Sequence, residues 1–192
     1  MGDDDAHARL IDIARATPWF MRALEAVRML GLSDWCVGAG AVRNMVWDAL
    51  HERPQPSHLP DVDVAWFDAS DTTPERDAAL LARLRAIDVT TPWEVVNQAG
   101  VHHWFERCFG HAVEPLASLE DAVASWPEFA TAVGIRLDGE GALRVIAPHG
   151  LDDLFAMIVR RNPARASVET YRRRVAEKRY AERWPKVRVV AS

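Results

Sequence analysis

Phe20, Met21, Leu24, Val27 and Leu30 recur at helical spacing behind the cap and first-turn pair Thr17-Pro18, and the run stops at Gly31, so a helix is predicted there. Asp34-Trp-Cys-Val37 is short and apolar and reads as a buried strand that runs into a turn at Gly38-Ala-Gly40. Val42, Met45, Val46 and Leu50 then mark a second helix. His51 to Pro60 is proline-rich and polar, a surface connection, and Asp61 to Phe67 alternates as a strand. Thr73-Pro-Glu75 opens a third helix through Leu80, Leu81 and Leu84, and Trp93-Glu-Val-Val-Asn97 follows as another strand. The expected core order is αβαβαβ.

Past Ala99, Ser118-Leu-Glu-Asp121 has the form of a capping box ahead of Val123 and Trp126, and Gly134 to Ala147 alternates as a hairpin around Asp138-Gly-Glu-Gly141. Gly150-Leu-Asp-Asp-Leu154 begins another helix, and a basic helix closes the chain. One domain over 1–192 is expected, with a core at about 17–100 and a C-terminal extension at about 101–192. Whether that extension forms a second lobe or the other side of one sheet is left open by the pattern.

A hydrophobic fraction of 49% supports a packed core. No apolar run reaches the roughly eighteen residues of a membrane span, and the acidic start Met1 to Asp5 lacks the features of a signal peptide, so a cytoplasmic protein is expected. Cys36 and Cys108 make no disulfide framework and read as reduced thiols. The net charge of −5 disfavours a protein that coats nucleic acid, yet Arg160 to Arg188 is crowded with Arg and Lys and holds only Glu169, Glu177 and Glu182 as acids. Two readings compete for this arm: a solvated helix face with Val168, Tyr171 and Val175 inward, or a guide for nucleotide or RNA phosphates.

Period-two alternation sends Asp61 and Asp63 to one face of their strand, as a pair of oxygen donors for a hard cation. The strand–glycine turn–helix just upstream supplies unhindered backbone N–H groups at a positive helix end, where a polyphosphate is held without a dedicated side chain. Glu94, on the next strand, is the candidate third carboxylate. Two divalent ions about 4 Å apart would stabilise the attacking and leaving oxygens of a phosphoryl or nucleotidyl transfer.

Arg43 sits in the first turn of the glycine helix, where a cation opposes the helix dipole unless an anion is near, so it contacts either a phosphate or an acid such as Asp48. Asn97 and Gln98 either read a base or ribose or close the strand end. Trp35, Trp47, Trp66 and Trp93 flank the motifs and suit core packing, with nucleobase stacking as the alternative. His102, His103, Cys108 and His111 have no common zinc-ligand spacing.

The run Val37-Gly-Ala-Gly-Ala-Val-Arg-Asn-Met-Val46, followed by Asp61-Val-Asp-Val64, resembles the head-domain signature of the polymerase-beta-type nucleotidyltransferase superfamily, which includes CCA-adding enzymes. From Trp35 through Trp93-Glu-Val-Val-Asn-Gln98 to Gly150-Leu-Asp-Asp-Leu-Phe155 the chain is similar to small bacterial proteins known only as nucleotidyltransferase-like. The resemblance implies an α/β nucleotidyltransferase fold, a mixed sheet flanked by helices with an α-rich C-terminal extension. It also implies Mg2+ or Mn2+ held by Asp61, Asp63 and Glu94, and a triphosphate held at Gly38 to Gly40. The implied reaction moves a nucleoside monophosphate from an NTP to an acceptor of unknown kind, small molecule, protein or RNA. A non-catalytic nucleotide-binding or interaction protein and an RNA-modifying enzyme are the alternatives. Asn44 stands where CCA-adding enzymes carry an aspartate, and their downstream nucleotide-selecting motif is not evident, so RNA tailing is not the first expectation.

Overall fold

The computed structural model describes residues 2–191. Its first helix, α1 (Asp3–Arg15), has no counterpart in the pattern above. Asp3, Asp4 and Asp5 fill the first turn, the positive end, and Ala6, Leu10 and Ala14 bury one narrow stripe. The second helix, α2 (Pro18–Arg28), starts with Pro18 in its first turn as expected, but Thr17 does not cap it. Its hydroxyl instead donates to the Ile13 carbonyl at 2.8 Å and fastens the junction to α1.

The predicted strands and helices of the core follow in order: β1 (Trp35–Gly38), α3 (Gly40–Leu50), β2 (Val62–Trp66), α4 (Pro74–Ile87) and β3 (Trp93–Asn97). Beyond them lie α5 (His102–Phe109), α6 (Leu119–Ala124), the hairpin β4 (Gly134–Leu137) and β5 (Leu143–Ile146), α7 (Asp152–Phe155), β6 (Ile158–Val159), α8 (Val168–Lys178), α9 (Tyr180–Arg183) and β7 (Arg188–Val189). Ser118 caps α6, its hydroxyl accepting from the Asp121 N–H at 3.0 Å.

One mixed sheet runs β3-β2-β1-β4-β5, and β6 and β7 pair separately. β2 and β3 are parallel, because α4 carries the chain back across the sheet, whereas β1 lies antiparallel to both β2 and β4. The C-terminal extension is therefore not purely helical: its hairpin widens the same sheet on the far side of β1. Trp35, Trp47, Trp66 and Trp93 are all buried, which makes them core residues. Cys36 is buried and Cys108 exposed, both free. Among the described residues no helix is long and apolar enough to cross a membrane.

Gly38 is the register partner of Gly134. A Cβ on Gly38 would meet the Trp126 ring at 2.5 Å and the Val133 carbonyl oxygen at 2.8 Å; one on Gly134 would meet Cys36 Sγ at 2.5 Å. The missing side chains let α6 and the following loop close onto β1. Gly38→Ala is expected to cost about 2–3 kcal/mol through overpacking and to lower the melting temperature by roughly 5–10 °C. An unchanged melting curve would show that Trp126 can move aside.

Candidate active site

β1 ends at Gly38 and α3 starts at Gly40, so the reversal falls on Ala39, whose backbone takes φ 49° and ψ −117°. Neither flanking glycine has a positive φ. Their role is room: Gly38 admits Trp126, and Gly40 leaves a bare backbone whose Cβ position is 3.7 Å from Arg43 Nη2 and 3.9 Å from Asp61 Oδ1. No side chain caps α3, so its first-turn N–H groups have no side-chain partner at the positive helix end. Because an L-residue is strained at Ala39, Ala39→Gly is expected to stabilise the fold by about 1 kcal/mol, after the extra freedom of glycine in the unfolded chain is subtracted. Thermal melting reads this as a rise of a few degrees; a fall would mean that the Ala39 methyl packs more favourably than its backbone is strained.

Asp63 of β2 is the register partner of Glu94 of β3, and Asp61 lies just before the strand. Asp63 is half-buried, and burial first, then the charges of Asp61 and Glu94, push its pKa up to about 7, against the pull of Lys178 and Arg174. Glu94 is also raised, by burial and then by the Asp61 charge, with Lys178 opposing. Asp63 and Glu94 line a cleft of about 200 Å³ together with Ala39, Gln98, Trp126 and Arg174. Asp61 borders a neighbouring depression that it shares with Glu94.

The donor chemistry of these acids suits a hard divalent cation, and their mutual repulsion is what such a cation relieves. Asp63 and Glu94 are brought together; Asp61 is electrostatically coupled to both but stands to one side. Among the described residues no three His, Cys, Asp or Glu side chains are grouped to hold a metal ion.

Two expected nucleotide contacts have other employment. Arg43 is 3% exposed, donates from Nε and Nη2 to Asn44 Oδ1 at 3.1 and 2.7 Å, and lies over the rings of Trp47, Tyr180 and Trp184 at 5.0–5.6 Å. Its long side chain folds back along α3 into an aromatic cage, a direction that first-turn position alone does not reveal. Asp48, the expected partner, instead accepts from the Trp184 indole at 2.8 Å and sits 3.7 Å from Arg53. Asn97 is 3% exposed; its oxygen accepts from the N–H groups of Asp68 and Ala99, and its amide donates to the carbonyls of Asp68 and Asp71. Those four bonds use its full capacity and clasp the loop after β2, leaving nothing for a base.

The roof of the cleft was not foreseen. Arg174 of α8 donates to Glu128 through Nε at 2.8 Å and Nη2 at 3.2 Å, and Glu128, 1% exposed, also accepts from Thr131 Oγ1 at 2.9 Å and Tyr180 OH at 3.3 Å. A signal was present in the sequence: Tyr171, Arg174, Val175 and Lys178 stand at i, i+3, i+4 and i+7, one face of a helix. The basic arm thus turns two of its cations toward the acids instead of presenting a uniformly solvated face.

The nucleotidyltransferase family model matches residues 25–189. A solved structure described as an NMR structure that reveals a CCA-adding enzyme head domain is 30% identical, with 95% of each chain covered and a TM-score of 0.78. Two structures of tRNA-processing enzymes share the fold at 19% and 18% identity, with TM-scores of 0.50 and 0.53; 88% and 87% of this chain spans 42% of each. No curated protein matches the chain in sequence. With the family model spanning the glycine turn, both aspartates, Glu94 and α8, the chain belongs to the nucleotidyltransferase family.

Proposed function

We propose that this protein transfers a nucleoside monophosphate from an NTP to a hydroxyl-bearing acceptor and releases pyrophosphate. The observation that carries the reading is the pairing of Asp63 with Glu94 across adjacent strands, with Asp61 3.9 Å from the position a Gly40 Cβ would take. Phosphate cradle and acids thereby meet at one end of the sheet.

In this reading the turn at Gly38 to Gly40 and the first turn of α3 hold the β and γ phosphates through backbone N–H groups from Gly40 onward, the Ala39 N–H being donated to the Val133 carbonyl at 3.2 Å, and Asp61, Asp63 and Glu94 supply the oxygens for Mg2+ or Mn2+. A bound divalent cation would offset charge on the phosphates and lower the pKa of the acceptor hydroxyl. The acceptor oxygen forms a bond to the α-phosphorus as the bond to the pyrophosphate oxygen breaks. Glu94 either holds the cation that lowers the acceptor's pKa or, in place of that role, takes the hydroxyl proton. Trp126 and Arg174 line the cleft beside Asp63 and Glu94.

The test is a thermal-shift panel of NTPs with and without Mg2+ or Mn2+. A nucleotide at about a hundred times its dissociation constant adds about 2.7 kcal/mol to the native state, a rise of roughly 5–10 °C. No shift with any NTP in either metal would sink the proposal. The offset of Asp61 from the Asp63–Glu94 cleft favours a second reading, a nucleotide-binding protein without turnover. It predicts an NTP shift that is the same with and without metal, and no pyrophosphate release.

A further inference from the structure

A second cavity of about 200 Å³ adjoins the cleft and shares Val96, Gln98, Trp126 and Pro127 with it. Its walls are mainly apolar and aromatic. Trp104, Phe105 and Phe109 of α5 contribute rings, with Phe105 and Phe109 centroids 4.5 Å apart. One cation faces this lining: Arg165 Cζ stands 5.5 Å over the Phe105 ring, and Nη2 donates to the Glu114 carbonyl at 2.6 Å. Its other terminal nitrogen, Nη1, is buried and has no hydrogen-bond partner. A guanidinium keeps its charge even when burial disfavours it, and Arg165 lines the cavity, so a turn of its side chain would bring this covered, unpaired N–H to an acceptor atom there, best an anionic one.

Position supplies the role. From the glycine turn at the end of β1, the sheet runs through Asp63 on β2 to Glu94 on β3, and the cavity lies further along β3, against Val96 and Gln98. In-line displacement puts the entering and leaving oxygens on opposite sides of the phosphorus. With pyrophosphate leaving over the glycine turn, the entering hydroxyl arrives from the β3 side.

We propose that this cavity is the acceptor subsite and that it takes a small single-ring molecule carrying a hydroxyl and an anionic group, carboxylate or phosphate, which Arg165 binds. The volume is below the roughly 300–1,000 Å³ of sites for drug-sized ligands, which suits one ring and excludes a duplex end. The proposal rests on the nucleotidyltransferase reading above and names the substrate class for it.

The test uses the full chain with two probes, para-hydroxyphenylacetate and its neutral analogue para-hydroxybenzyl alcohol, followed by NMR of the Trp104 and Trp126 indole N–H resonances. Both probes are expected to shift these resonances saturably. Arg165→Gln should weaken the acid about tenfold to a hundredfold, the loss of one charge-assisted hydrogen bond, and leave the alcohol within about twofold. Thr170→Trp, which fills the cavity from α8, should abolish binding of both while the Mg2+-NTP thermal shift persists. Equal weakening of both probes by Arg165→Gln would overturn the anion assignment. Displacement of the probe by Mg2+-NTP would overturn the acceptor assignment and give the cavity to the donor nucleoside. If neither probe binds while NTP still shifts the protein, this inference alone falls. If the probes bind but no NTP does, the nucleotidyl-transfer reading fails first and takes the acceptor role with it.

Discussion

Asp63→Asn is expected to abolish metal-dependent pyrophosphate release and, in the same molecule, to raise the melting temperature at alkaline pH. The two effects share one cause. A half-buried carboxylate flanked by Asp61 and Glu94 prefers its proton, so its pKa of about 7 in the fold exceeds its ordinary 3.8. The unfolded chain gives up that proton near pH 4, the folded one near pH 7. Asp63 therefore costs nothing below about pH 4, costs progressively more as pH rises through this window, and costs its full amount above about pH 7. Three pKa units correspond to about 4 kcal/mol as an upper bound; solvent screening of a partly exposed group brings this to about 2. Asparagine keeps the shape and removes the charge, so without metal the variant should melt roughly 4–8 °C above wild type near pH 8, and the gap should shrink near pH 5. Loss of a donor oxygen removes several kcal/mol of transition-state stabilisation, on the order of a thousandfold or more in rate. Scanning calorimetry at both pH values, beside a pyrophosphate-release assay, checks the pair. A variant that melts far below wild type at both would mark Asp63 as structural.

The neighbourhood of Asp63 and Glu94 was legible because they lie on short strands joined by one helix, and a β2–α4–β3 crossover makes parallel neighbours from the order of elements alone. Asp61, which period two assigned to the face of Asp63, lies just before β2 and borders the neighbouring depression. The turn was legible in place but not in detail, since two glycines attract attention and the strained residue is the alanine between them. What sequence concealed was long-range. Nothing local to Gly134 announces that its absent side chain faces Cys36 or that its hairpin joins β1. The first helix escaped because its inward stripe, Ala6, Leu10 and Ala14, is mostly alanine and carries little hydrophobic signal. Arg43 and Asn97 were assigned by position to a ligand, and both are consumed inside the protein; long or amide side chains can satisfy themselves against backbone or rings that are distant in sequence.

Arg174→Met should be among the most destabilising single changes to a charged residue, because it leaves Glu128 buried without its cation. Burial alone would raise the Glu128 pKa, but the hydrogen bonds and charge of Arg174, then Thr131 and the Arg43 charge, outweigh it and hold the carboxyl below its ordinary range. With a depressed pKa, the stabilisation from Glu128 is full above about pH 4.5 and is lost as pH falls through the folded-state value. Removing the guanidinium reverses the sign: burial then dominates, Glu128 prefers its proton, and the variant should become less stable as pH rises. The expected loss near neutral pH is about 3–5 kcal/mol, with α8 released from the roof of the cleft. Glu128→Gln in the same chain should recover at least about 2 kcal/mol, since a neutral amide no longer needs a counter-charge and can still bond to Thr131 and Tyr180. Urea titrations of wild type, both single variants and the double variant close this cycle. Additive losses would mean that the pair does not hold the helix down. Because Arg174 also draws the Asp63 pKa down, its removal should extend the loss of stability at Asp63 to higher pH and enlarge it, with the onset near pH 4 unchanged, which couples the buried ion pair to the proposed catalytic acid through a single guanidinium.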